Sequence, residues 1–130
     1  MKNMCNMFLA NNLTSNLHLV KKTSKEAIEQ NDPNKVLIKI QNIIYYVLKA
    51  KSIYQNTKHN KYKNKIYHHF NKIISCTKYI RDDIDQNNTL TDFSIGELKR
   101  ISSLAGETIY LIKRKEIGRA SCRERVLRLV

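Results

Sequence analysis

Apolar residues recur at three- and four-residue steps through most of this chain, the spacing of one helix face rather than the alternation of a strand. The densest stretch is Asp32 to Lys58, DPNKVLIKIQNIIYYVLKAKSIYQNTK. There Val36, Ile40, Ile43, Ile44, Val47, Leu48 and Tyr54 fall on one face, and Leu37, Ile38 and Tyr45 widen it. Asp32 is placed to cap this helix, because its carboxylate can accept from free N–H groups of the first turn. Pro33 follows at the first helical position, where its missing N–H costs nothing. So apolar a helix is expected to be covered on most sides, with the other segments as its covers.

Three further helices follow from the same period. Leu13 to Gln30 carries Leu13, Leu17, Val20, Ala27 and Ile28 on one face, with Ser24 as a small gap and Thr14 or Ser15 to cap its start. Asn31-Asp32-Pro33 ends it and begins the next, and so short a connection predicts antiparallel neighbours. The polar run QNTKHNKYKNK after Tyr54 reads as a loop or a frayed helix junction. A third helix is predicted from Tyr62 to Asp85, with Tyr62, Ile66, Phe70, Ile73, Ile74, Ile80 and Ile84 as its stripe and Tyr67 and Tyr79 flanking it. A fourth is predicted from Ser94 to Lys115, opened by a Ser94–Glu97 capping box and carrying Ile95, Leu98, Ile101, Leu104 or Ala105, Ile109 and Ile112. Gly106 is its weak point and allows a kink or a break there. The fold predicted is all-α, an antiparallel up-down-up-down four-helix bundle.

Length and composition narrow this to one domain. A chain of 130 residues with 42% hydrophobic and 27% charged residues is globular and can bury a single core. No run of about 20 apolar residues predicts a membrane span. Met1 to Ala10 is too short and too polar for a secretory signal. Cys5, Cys76 and Cys122 are odd in number with no CxxC spacing, the pattern of reduced thiols in a cytoplasmic protein.

The last fifteen residues differ from the rest. Glu116 to Val130 holds no lysine and four arginines, whereas residues 1–115 are rich in Lys, Asn, Ile and Tyr. EIGRASCRERV resembles the translation of a common DNA-sequencing adapter. Residues 1–115 are therefore read as one helical bundle domain, truncated at its C-terminus, and residues 116–130 as a non-native tail outside functional reasoning. Without the tail's four arginines and two glutamates, the formal charge of +13 becomes +11. Such a balance suits an acidic protein partner, an acidic lipid surface or nucleic acid.

Catalytic signatures are lacking. There is no P-loop, no GxGxxG and no nucleophile motif, and the expectation is a protein that is not an enzyme. No cofactor is expected either. His68 and His69 are adjacent and point about 100° apart on a helix, so they read as surface or boundary residues rather than a metal pair. Asp82, Asp83 and Asp85 crowd the end of the third helix, where negative charge is disfavoured, so a nearby lysine is expected to partner them. All seven tyrosines lie between Tyr45 and Tyr110, and tyrosine suits half-buried interface positions because its ring packs while its hydroxyl stays wet.

Two stretches carry a family resemblance. KEAIEQND at 25–32, followed by LIKIQNII at 37–44, resembles the flagellar secretion chaperones, cytoplasmic bundles that hold flagellin before export. IYHHFNKIISCTKYIRD at 66–82 is similar to their third helix. The resemblance implies a groove for an amphipathic, flagellin-like helical segment of another protein. Its expected walls are Ile40, Val47 and Tyr54 on the second helix and Tyr67 and Ile74 on the third.

A second resemblance lies at 93–115. FSIGELKRISSLAGETIYLIKRK is similar to the helix-turn-helix of MerR-type regulators and excisionases. It implies a turn at Ser103-Leu104-Ala105 and a recognition helix opening at Glu107, with the lysines and Arg114 on DNA phosphates. A continuous helix from Ser94 to Lys115, lying along the other three, would instead mark the bundle.

Overall fold

A computed structural model describes the backbone of residues 2–57 and 61–124 and the side chains of residues 12–57 and 61–114. It forms four helices and, among the described residues, no strand: α1 (Lys2–Ile28), α2 (Pro33–Gln55), α3 (Lys63–Asn87) and α4 (Asp92–Glu124). Each packs on two neighbours, α1 on α2 and α4, α3 on α2 and α4. The result is an antiparallel four-helix ring around one core, with the α2–α3 side the most loosely packed of the four. No helix among the described residues is long and apolar enough to cross a membrane.

The helix ends follow local chemistry. Asp32 caps α2 by accepting from the Asn34 N–H at 3.0 Å, and Pro33 occupies the first turn. α3 stops at Asn88, which adopts the left-handed conformation (φ 56°) that a short polar side chain tolerates. α4 starts two residues earlier than its predicted Ser94 cap. The Thr91 hydroxyl accepts from the Ser94 N–H at 3.3 Å, so Thr91 caps the helix and Ser94 lies inside it. α1 likewise begins at Lys2, well before the predicted Thr14 or Ser15 start.

The core is built from the predicted stripes. Leu13, Leu17, Val20 and Ala27 of α1 meet Val36, Ile40, Ile43, Val47, Ala50 and Tyr54 of α2. Ile66, Phe70, Ile73, Ile80 and Ile84 of α3 and Leu98, Ile101, Ala105, Ile109 and Ile112 of α4 close it. Ser24 takes the small position on α1, fully buried, with its hydroxyl donated to the Lys21 carbonyl at 2.9 Å.

Two expectations are corrected here. α2 is not covered on most sides: among the described residues, only α1 and α3 touch it. Ile38, Tyr45 and Leu48 are therefore 61%, 60% and 50% exposed. Of the kink or break that Gly106 allows, the break does not form: α4 runs through Ser103–Gly106 as unbroken helix. The helix continues to Glu124, into the segment that resembles adapter sequence, whose side chains lie outside those described, as do those of Cys5 and Cys122.

Candidate functional site

Two lysines mark the sides that α2 turns to its neighbours. Lys39 reaches Glu26 on α1 at 3.1 Å, and Lys51 reaches the Asn71 amide oxygen on α3 at 3.2 Å. Positions seven residues apart lie nearly in line on a helix. Lys39, Tyr46 and Ile53 thus mark the side facing α1, and Leu37, Ile44 and Lys51 the side facing α3. Ile38 and Tyr45 lie between, pointing out of the bundle two turns apart, with Leu48 about one turn beyond Tyr45. The Tyr45 ring stacks edge-on against Tyr46 at 5.6 Å between centroids, with the Lys49 ammonium 5.9 Å from it. α2 carries four lysines and no acidic residue.

The five residues expected to wall a groove divide between two settings. Ile40, Val47 and Tyr54 are buried in the core, at most 2% exposed, and in this closed bundle they do not face solvent. Tyr67 and Ile74 are half-buried, packed against the core. The structure does bring one end of the set together: the Tyr54 ring meets Tyr67 at 5.2 Å and Phe70 at 6.0 Å, both edge-to-face. Burial pushes the Tyr54 hydroxyl pKa up to about 12, so it stays neutral at ordinary pH. The apolar groups left to solvent on α2 sit about half a turn round from those expected. The reason is geometric: the three most central positions of a wide stripe go to the core, and its outer edge is what remains.

Polar groups join α3 to α4. Asp83 accepts from the hydroxyls of Thr91 and Ser94, the latter at 2.6 Å, and from the Asn87 amide at 2.7 Å. Those bonds, Ser94 first, hold its carboxyl below the usual range. The acidic cluster is thus met at Asp83 by neutral donors rather than the expected lysine. His69, expected at the surface or boundary, is 5% exposed. Its Nδ1 lies 3.1 Å from the Thr108 hydroxyl and its Nε2 3.6 Å from Glu107. A signal for this existed, because His69 falls three residues after Ile66 and four before Ile73, on the buried face. Cys76 is buried, and burial followed by the nearby Glu97 carboxylate pushes its thiol pKa up to about 12. A thiol so protonated is a poor nucleophile.

Among the described residues no three His, Cys, Asp or Glu side chains gather as metal ligands. The turn that a helix-turn-helix at 93–115 needs is not formed, and Ala105, Ile109, Leu111 and Ile112 pack into the core instead. Comparison with family models, with characterised proteins and with solved structures returned no match.

Proposed function

We propose that this bundle is a binding protein that holds an amphipathic helical segment of another protein against the outward face of α2. The observation that carries the reading is the exposure of Ile38, Tyr45 and Leu48 on a helix whose charges are all positive. A complementary segment would bring an apolar stripe onto those three side chains and acidic residues to Lys35 and Lys49. The stretches at 25–44 and 66–82 that resemble flagellar secretion chaperones make a flagellin segment the first candidate, and export chaperoning in the cytoplasm the corresponding role.

Isothermal titration of the full chain with a flagellin C-terminal helical segment tests this. Binding should show a negative heat-capacity change, because apolar area leaves water. Ile38→Ala with Leu48→Ala should weaken it by about 2–4 kcal/mol, or roughly 30- to 1,000-fold. No detectable binding would remove the flagellin role. Binding indifferent to the double variant would remove the α2 face.

A further inference from the structure

We propose that the exposed face shared by α3 and α4 binds single-stranded nucleic acid, at a site separate from the α2 surface and independent of it. The face consists of two parallel stripes. On α4, Phe93, Arg100, Glu107 and Arg114 follow one another at seven-residue steps and so lie in one line. On α3, Lys65, His68, Lys72 and Tyr79 recur at three, four and seven residues, again one line. All eight are exposed.

The contacts between the helices set the stripes side by side. His69 meets Thr108 and Glu107, and Asp83 meets Ser94, which fixes an antiparallel register along the whole seam. Lys65 and Lys72 both act electrostatically on His69, and Lys72 and Arg100 both act on Cys76. These cations therefore border the same seam from its two sides. Arg114 closes one end, with its guanidinium donating to the Tyr110 hydroxyl at 2.9 Å. Phe93 and Tyr79, 54% and 53% exposed, lie towards the other.

Cations tracking a surface, with two aromatic rings that face solvent at one end of it, match the two demands of a single strand: charge for the phosphates and flat apolar area for unstacked bases. A duplex hides its bases and would use only the cations. An acidic membrane would also leave the two separated rings without a role. The helix-turn-helix geometry plays no part here, because α4 contributes its side rather than an end.

The test is fluorescence anisotropy of the full chain with a labelled 20-nucleotide single strand, across a salt series. Four cations, Lys65, Lys72, Arg100 and Arg114, give an expected slope of log affinity against log salt of about −2.8. Lys72→Gln with Arg100→Gln should reduce it by about 1.4, whereas Lys22→Gln with Lys25→Gln on α1 should leave it unchanged. Tyr79→Ala with Phe93→Ala should weaken the single strand at least several-fold at constant slope. Glu107→Gln, which removes the one acid in the stripes, should tighten it. Equal loss in the α1 control would overturn the proposal in favour of diffuse basic attraction. Tighter binding to duplex DNA, or to vesicles with anionic lipid, with no effect of removing the rings, would overturn it equally.

Discussion

At the scale of single residues, His69 shows how burial and one hydroxyl decide a protonation state. The Thr108 hydroxyl donates to the Leu104 carbonyl at 2.7 Å and lies 3.1 Å from His69 Nδ1. Burial lowers the His69 pKa below the ordinary 6.5, and the pull of Glu107 opposes without cancelling it. The folded chain then binds fewer protons than the unfolded one below about pH 6.5, so stability should be full above that pH and fall as the solution is acidified. Denaturant melts at pH 8 and pH 5 should show the fall, and His69→Gln should shrink the difference between them. Two adjacent isoleucines offer a second check. Ile43 is fully buried and Ile44 only half-buried. Ile43→Ala should cost about 3–4 kcal/mol and Ile44→Ala clearly less. The apolar period marks both positions as candidates; which of the two receives neighbours on every side depends on where α1 and α3 dock.

At the scale of elements, the end of α3 and the start of α4 are one unit. A single carboxylate, Asp83, accepts from the last turn of its own helix and from the cap and first turn of the next. Asp83→Ala should lower stability by about 1–2 kcal/mol in urea melts, an amount held down by the carboxylate's contact with water. Asp83→Asn should recover part of it. The sequence shows Ser94 and Glu97 at capping-box spacing, yet Thr91 does the capping because Asp83 engages the Ser94 hydroxyl. A rule of local spacing has no knowledge of an acceptor eleven residues upstream. Gly106 lies inside unbroken helix, and a Cβ there would come no closer than 3.7 Å to the flexible end of Lys21. Gly106→Ala should raise stability in urea melts by about 1 kcal/mol, since the chain loses glycine's freedom without a clash. A loss instead would mean that the crossing of α1 and α4 needs the closer approach.

At the scale of the whole molecule, charge is unevenly placed. Acids concentrate near the end where α1 joins α2 and α3 joins α4, between Glu26 and Asp32 and between Asp82 and Asp92. The other half of the described bundle keeps Glu107 as its one acid against Lys49, Lys51, Lys61, Lys63, Lys65, Lys72, Lys113 and Arg114. Residues 116–130 resemble translated adapter sequence rather than the body of the chain. A chain ending at Lys115 should therefore melt within a few degrees of the full length in a thermal scan, and a larger drop would make the tail part of the fold. The helical period by itself determined four helices, their antiparallel order and most of the core, because burial of a continuous apolar stripe leaves few alternatives. The cap at Asp32 was equally local. Tertiary structure alone decided what depends on which helices become neighbours. It placed Ile40, Val47 and Tyr54 inside while Ile38, Tyr45 and Leu48 stayed outside. It carried α4 unbroken through Gly106, because the residues beyond it had a core to join. It also set the lysines of α3 beside the arginines of α4, a meeting of residues some thirty to fifty positions apart along the chain that exists only once the helices dock.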